Sequence, residues 1–480
     1  MRAVAGQLEQ AIEFFRKAIE IQPDFAEAYC NLGVALSATG DLSNEIAAYR
    51  KAIEIQPDYA VAHYNLGVAL SITGDLSNEI AAYRKAIEIK PDYAAAHYNM
   101  GNALINIGQF PDAISAYHKA IEIKPNFVNG YYNLGLALIE TGQFTDAIGV
   151  FRKAIEFDPN FGRAHQKLGI SLAALRQFPD AIAALRRAVE IEPDNATAHY
   201  DFGIVLVESS RLLDARAAFR KAVELEPSFA EAQHDLGVIF AGSGQFLDAV
   251  NAFRKATEAR PDFQEAHRNL GNALADSGRI PDAIAAYQKA IEIKPDYADA
   301  CVDLGWALGE LGRTEDEIAV YDDLLARFGT ATEPSLREAV GNALINKGAR
   351  FGALGRSKDE IAVYDDLLAR FGTATEPPLR EPVAKALINK GLRLAALGRS
   401  EDAIAIYDDL LARFGTATQP PLREPVANAL LNKGAALAAL GRSEDAIAVC
   451  DDLLARFGTA TEPPLREPVA KAIFNRGVNL

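Results

Sequence analysis

Five of the seven histidines, His63, His97, His165, His199 and His267, lie at multiples of 34 residues from one another. One imidazole per recurrence could form a ladder of metal sites. Zinc takes its ligands at about 2 Å, and packed helical units lie roughly 10 Å apart. One histidine per unit therefore builds no site, and packing is the expected role, because Tyr29 and Tyr131 fill the same place. The Asp-Asp pairs at 322–323, 365–366, 408–409 and 451–452 look like catalytic dyads. Adjacent helical residues point about 100° apart, so each pair reads as a solvated face. Cys30, Cys301 and Cys450 are too scattered for a disulfide framework or a paired metal motif. Asn195-Ala196-Thr197 is a lone glycosylation sequon, and no nucleophile elbow, phosphate loop or zinc-protease motif occurs. The expectation is a non-enzymatic protein with no metal and no cofactor.

The elements that must carry these residues are helices in a strict repeat. Pro23, Pro57, Pro91, Pro125, Pro159, Pro193, Pro227, Pro261 and Pro295 fall at intervals of 34. Each is followed by Asp, Asn or Ser, read here as the N-cap of the next helix. Within residues 26–59, Tyr29, Leu32 and Leu36 make one apolar stripe and Leu42, Ile46, Tyr49 and Ile53 a second, with Gly40-Asp41 between them. This is helix, tight turn, helix. Two short amphipathic helices cannot bury their faces alone, so neighbouring units must stack.

Counting each unit from Ala26, Ala60, Ala94, Val128, Gly162, Ala196, Ala230, Gln264 and Ala298, position 8 is always Gly and position 27 is a second small residue, Ala52 and Ala86 among them. On these residues the chain resembles the tetratricopeptide repeat (TPR) family. The resemblance implies an all-α fold, a right-handed α-solenoid superhelix of stacked antiparallel helix pairs. Glu45 and Glu79 depart from the small residue expected at position 20, and Arg176 and Ser210 from the turn Gly.

After residue 311 the interval becomes 43, marked by Gly-Arg at 312–313, 355–356, 398–399 and 441–442. Asn346, Gly348, Phe351 and Gly355 keep the register of Asn31, Gly33, Leu36 and Gly40. The nine extra residues are expected as a longer loop and an extended first helix opened by Pro382 near its first turn. Lys347, Lys390 and Lys433 stand where Leu is expected. The organisation is thus a half repeat at 1–25, a 34-residue array at 26–311, a 43-residue array at 312–464 and a half repeat at 465–480.

By resemblance, first helices line the concave side and position 6 projects into it. That position holds Asn31, Asn65, Asn99, Asn133, Asn269, Asn346, Asn389, Asn432 and Asn475, with Lys167, Asp201, Asp235 and Asp303 elsewhere. An amide both donates and accepts, so a row of them suits the backbone of an extended peptide; the competing role is stabilising the stack. The row resembles the asparagine ladder in the TPR region of O-linked N-acetylglucosamine transferases, whose catalytic domain has no counterpart here. Tyr64, Tyr98, Tyr132 and Tyr200 at position 5 add rigid contact residues. With Asn102, Asn106 and Asn272 nearby, the stretch 60–140 is the expected peptide-binding segment.

A net charge of −16 speaks against nucleic-acid binding, which needs clustered Lys and Arg. Most of the acid lies before residue 312, so a neutral or basic peptide or protein partner is expected. No apolar run reaches the roughly 18 residues of a membrane span. Residues 7–22 read as a repeat helix rather than a signal peptide, which fits a cytoplasmic protein, or an extracellular one if it forms filaments. The filament alternative draws on apolar stripes at the two ends: Leu8, Ile12, Phe15 and Ile19, and Val469, Ile473 and Leu480. Joined head to tail they would complete a repeat and give an open helical assembly. A TPR segment of a larger enzyme is the other alternative.

Overall fold

The structure, a computed structural model, describes residues 2–479, with side chains described for 7–478. The chain divides into two compact units, 1–227 and 228–480. Unit one holds α1 (Arg2–Ile21), α2 (Ala26–Thr39), α3 (Leu42–Ile55), α4 (Ala60–Thr73), α5 (Leu76–Ile89), α6 (Ala94–Asn106), α7 (Phe110–Ile123), α8 (Val128–Glu140), α9 (Phe144–Phe157), α10 (Gly162–Ala174), α11 (Phe178–Ile191), α12 (Ala196–Glu208) and α13 (Leu212–Leu225). Unit two holds α14 (Ala230–Gly242), α15 (Phe246–Ala259), α16 (Gln264–Asp276), α17 (Ile280–Ile293), α18 (Ala298–Glu310), α19 (Thr314–Phe328), α20 (Pro334–Ala353), α21 (Ser357–Phe371), α22 (Pro377–Ala396), α23 (Ser400–Phe414), α24 (Pro420–Ala439), α25 (Ser443–Phe457) and α26 (Pro463–Asn479). Among the described residues there is no strand. Each unit is an all-α solenoid of stacked helix pairs. No described helix is long and apolar enough to cross a membrane.

The pair is set by one contact. The position 8 glycine of each first helix faces the side chain sixteen residues on, and a Cβ added at Gly101 would stand 2.6 Å from the Tyr117 ring. The turn between the two helices needs a left-handed residue. Gly40 and Gly74 adopt φ of 77° and 75°, and Arg176 and Ser210 are forced to 58° and 62° in the same place. A side chain there costs about 1–2 kcal/mol.

The helix starts differ from expectation by one residue. The N-caps are Phe25, Tyr59, Tyr93, Phe127 and their equivalents, not the polar residue after proline. The reason is a β-turn. Phe25 N–H donates to the Gln22 carbonyl at 3.2 Å, so Pro23 and Asp24 occupy its two central positions. Asn195 alone in this series caps its helix through its side chain, accepting from Ala198 N–H at 3.0 Å.

In the longer repeats most of the extra residues enter the first helix, not the loop. Helix α22 starts at Pro377, so Pro382 lies inside it rather than at its opening. Its buried ring packs toward α20, where a Cβ on Gly341 would come within 3.3 Å of it. The lengthened first helices also pack directly on one another, α20 on α22 and α22 on α24. The misplaced lysines have partners: Lys390 pairs with Asp365 at 2.5 Å and Lys433 with Asp408 at 2.5 Å, each on the preceding second helix. The second Asp of each pair serves another cation, Arg370 to Asp366 and Arg413 to Asp409, both 2.7 Å. Arg370 also donates to the Gly329 carbonyl of the repeat before at 2.6 Å. The Asp-Asp pairs therefore point to two partners and converge on none.

Position 20 holds Glu in some repeats of each array and Ala in others. Glu317 and Glu360 are buried but ion-paired with Arg350 and Arg393 of the next first helix. Where the glutamate becomes Ala403, the arginine becomes Ala436. Glu79 is buried with one carboxylate oxygen unpartnered, and Ala103 stands where the arginine would be. Burial holds the Glu79 carboxyl above its ordinary value of 4.5.

Two outcomes follow. Gly391→Ala would drive a Cβ to 2.5 Å from Tyr407, whereas at Gly434 the facing residue is Cys450 with its sulfur 3.6 Å away. Gly391→Ala should cost about 1–3 kcal/mol by overpacking, and Gly434→Ala should gain up to about 1 kcal/mol of helix stability; urea titration reads both signs. Glu79→Ala should stabilise the protein at pH 7 by about 1 kcal/mol. The gap to the parent should be absent below pH 4.5 and widen as pH rises above it, because the folded state keeps the proton longer. Glu317→Ala should instead destabilise by about 1–3 kcal/mol, since it strands Arg350. Equal signs for the two glutamates would refute the pairing argument.

Candidate functional site

The histidines at position 4 hold the repeat together rather than a ligand. Nε2 of His63, His97, His165, His199 and His267 bonds the carbonyl of the proline six residues earlier, at 2.9–3.1 Å. Burial lowers the pKa of His165, His199 and His267, so the neutral ring donates from Nε2 to that carbonyl. The sequon is likewise occupied, since Asn195 caps α12 and also donates to Glu192 at 2.8 Å. Burial raises the thiol pKa of Cys30, Cys301 and Cys450, that of Cys301 to about 11, which keeps them protonated and unreactive.

The position 6 row makes rungs between repeats. Asn99 Nδ2 donates to the Tyr64 hydroxyl at 3.2 Å, and Asn133 Nδ2 to the Tyr98 hydroxyl at 2.9 Å. Asn65 reaches the Cys30 sulfur at 3.7 Å and Asn269 the His234 ring at 2.9 Å. Each rung joins position 5 of one repeat to position 6 of the next, and its partners vary along the array. Gln166 donates to Asp201 at 2.7 Å, and Arg268 to Asp303 at 2.6 Å. In the longer repeats position 5 is Ile345, Ile388 or Leu431, which offers no polar group, and Asn389 turns to the Tyr364 hydroxyl at 3.2 Å instead. Asn31 is exposed, while Asn346, Asn432 and Asn475 are half-buried.

The position 5 tyrosines are wedged rather than free. The Tyr64 ring lies 6.0 Å from that of Tyr83 and 4.8 Å from that of Tyr93. Tyr98 sits likewise between Tyr117 and Phe127, and Tyr132 between Phe151 and Phe161. Burial raises the phenol pKa of Tyr64 and Tyr132. Burial also raises that of the Asp303 carboxyl, against the pull of Arg268. Of the end stripes, Leu8, Ile12, Phe15 and Ile19 turn onto α2, packing with Leu32, Ala35 and Leu36. Val469 packs on the core of unit two and Ile473 is exposed; Leu480 lies outside the described residues.

What the first helices leave open is position 9. Val34, Val68, Val238, Trp306 and Leu392 are exposed there despite their size. Between successive first helices this position lines a cavity that recurs at equivalent places. Between α6 and α8 it holds about 510 Å³, with Asn102, Ile105, Asn106, Asn133, Leu136 and Glu140 among its walls. Between α10 and α12 it holds about 560 Å³, with Ile170, Ala173, Ala174, Asp201, Ile204 and Glu208. Between α20 and α22 it holds about 480 Å³, with Ala349, Gly352, Ala353, Asn389, Leu392 and Ala396. These are positions 9, 12 and 13 of one repeat with 6, 9 and 13 of the next. The sequence offered a signal for position 9, a place that alternates between aliphatic residues and Asn102 or Asn272 without breaking the helix pattern.

Three comparisons bear on the family. The model of the C-terminal domain of cilia and flagella-associated protein 70, a TPR domain, matches residues 69–303. TPR repeat models match 5–40 and 38–74, and a tetratricopeptide repeat model matches 388–461. The matched segments are tetratricopeptide repeats. No curated protein matches the chain. Among solved structures, YrrB, described as a TPR protein with an unusual peptide-binding site, is 26% identical, covering 40% of this chain and 98% of its own, at a TM-score of 0.37. MamA is 26% identical over 35% of this chain and 97% of its own, at 0.33. Yeast Tom70 is 14% identical over 95% and 96%, at 0.43.

The rungs predict a transplant. Arg268→Tyr alone leaves the Asp303 carboxylate without its cation and should cost about 2 kcal/mol. Arg268→Tyr with Asp303→Asn installs the Tyr–Asn rung of Tyr64–Asn99 and should recover to within about 0.5 kcal/mol of the parent. Additive losses in urea titration would show that the two residues do not act as a pair.

Proposed function

We propose that these tetratricopeptide repeats form a non-enzymatic interaction scaffold whose first-helix groove binds peptides or proteins. The observation that carries this reading is the recurrence of one cavity at equivalent repeat positions, each about 480–560 Å³. A fold that only needed to stack would have no use for exposed Val68, Val238, Trp306 and Leu392 along one helix face. Aliphatic residues that cost solubility yet recur at one register fit a surface covered by a partner. The histidine, cysteine and Asp-Asp series are all engaged in the architecture, which supports a role without chemistry.

The asparagine row enters this reading in a changed role. The amide nitrogens of Asn99 and Asn133 hold successive repeats in register, and their oxygens remain for a ligand. That supports the likeness to the asparagine ladder of O-linked N-acetylglucosamine transferases only as a shared row, since the rungs already use half of each amide.

The test is selection of a random dodecapeptide display library on the intact chain. Selected peptides should bind, and Leu136→Glu with Ile204→Glu, both at position 9, should weaken them at least about tenfold by placing charge against apolar contacts. Lys153→Ser on the second helix α9 should leave binding unchanged. Peptides that bind the double variant as they bind the parent, or a library that yields no binder, would refute the groove reading.

A further inference from the structure

We propose that the cavity between α6 and α8 reads a side-chain carboxamide, taking a glutamine or asparagine from an otherwise neutral peptide. This rests on the groove reading above and names the partner class for one of its pockets. Position 9 is aliphatic at Val34, Val68, Leu136, Ile170 and Ile204, so Asn102 is a departure that asks for a reason.

The hydrogen bonds around Asn102 fix which way its amide faces. The Tyr117 hydroxyl donates to Asn102 Oδ1 at 2.7 Å, and Asn133 Nδ2 donates to the same oxygen at 2.9 Å. The carbonyl of Asn102 is thereby used, and its amide nitrogen donates to no described residue. Asn133 is fixed in the opposite sense. Its two N–H groups go to the Tyr98 hydroxyl and to Asn102 Oδ1, both at 2.9 Å, and its own oxygen accepts from no described residue. Two amides that line one cavity and bond to each other thus keep one donor and one acceptor in reserve.

A primary carboxamide is the complement of that pair. Its carbonyl accepts from Asn102 Nδ2 and one of its N–H groups donates to Asn133 Oδ1. Its second N–H has Glu140 or Asn106 at the same cavity wall. Ile105, Leu136 and Phe110 supply apolar surface for the methylene stem. A carboxylate offers Asn133 no donor, an ammonium offers Asn102 no acceptor, and a methionine side chain leaves both unpaired. The other position 9 asparagine clarifies the requirement. Tyr287 donates to Asn272 Oδ1 at 2.8 Å in the same manner, but the following position 6 is Asp303, which Arg268 already holds. The donor is present there and the free amide acceptor is not, so the reading belongs to the α6–α8 cavity.

Two substitutions natural to the repeat make the test. Asn102→Leu installs the residue of Leu136, and Tyr117→Phe the residue of Phe151, so both fit the fold. Dodecapeptides selected on the intact parent should share a Gln or Asn at one position. Changing that residue to Met or Glu should weaken binding about tenfold, the size expected for two neutral hydrogen bonds. On the Asn102→Leu protein the Gln and Met forms should bind within about twofold of each other, and Tyr117→Phe should narrow the Gln-over-Met preference. Selected peptides without a shared carboxamide, or a preference that survives Asn102→Leu, would overturn the proposal while leaving the groove reading intact. A library with no binder at all would remove both.

Discussion

A side chain, an aromatic ring in most repeats, laid against a helix backbone that carries no Cβ is the contact on which the helix pair depends. Adding a methyl group at Gly33, Gly67 or Gly101 would place it within 2.5–2.6 Å of the facing tyrosine ring. That approach sets the distance between first and second helix, and the fully buried rings of Tyr83, Tyr117, Phe151, Phe219 and Tyr287 fill the space it creates. The same residue reaches beyond the core. A tyrosine there ends in a hydroxyl at the groove, where it orients Asn102 or Asn272, whereas Phe151, Phe219 and Phe253 bring nothing polar. The choice between Tyr and Phe, neutral for packing, thus decides the chemistry of the surface above.

Stacking of one repeat on the next is solved in two ways. The 34-residue repeats use short first helices and a polar rung, in which Asn takes Tyr or His as partner and Asp takes Gln or Arg. The 43-residue repeats lengthen the first helix, bury Leu379, Val383, Leu422 and Val426 in the core, pack first helix on first helix, and add ion pairs such as Lys390–Asp365. Exposed pairs of this kind contribute about 0–1 kcal/mol each, so the added apolar burial carries the stacking, and the charges fix register. Loss of the polar position 5 explains the change of rung. With Ile345 in place of a tyrosine on the preceding first helix, Asn389 finds its partner in the hydroxyl of Tyr364.

The period, the helix pairs and the glycine contact were legible in the sequence because each is a repeated local pattern. Arg176 and Ser210 stood out as departures, and their positive φ shows the turn geometry overriding side-chain preference. The helix starts were misplaced because Pro-Asp serves a β-turn closed by the next aromatic's N–H, and a polar residue in a turn looks the same in sequence as one at a cap. The extended first helix of the longer repeats is legible, but its start at Pro377 is not, since a buried Pro382 inside a helix runs against proline's usual place. The asparagine row was found, but its direction was not. Whether an amide faces a ligand or the neighbouring repeat depends on what position 5 offers 35 residues away, and no local pattern carries that.

Position 9 lies between two architectural positions on the face of one helix. Positions 8 and 6 on either side of it are held by the ring contact and by the rung, so the backbone beneath position 9 is the same in repeat after repeat. A residue there is free to vary without touching the core, as the run Val68, Asn102, Leu136, Ile170, Ile204 shows. The cavity walls change with it, from amides beside Asn133 to aliphatics beside Asp201. In the longer repeats the same cavity contains the Glu360–Arg393 ion pair, which fills its polar capacity internally and leaves the exposed Leu392. The next repeat discards that pair for Ala403 and Ala436. Side-chain variety on an unchanged frame thus falls at position 9 of the 34-residue array, while the 43-residue array differs from it chiefly in its stacking contacts.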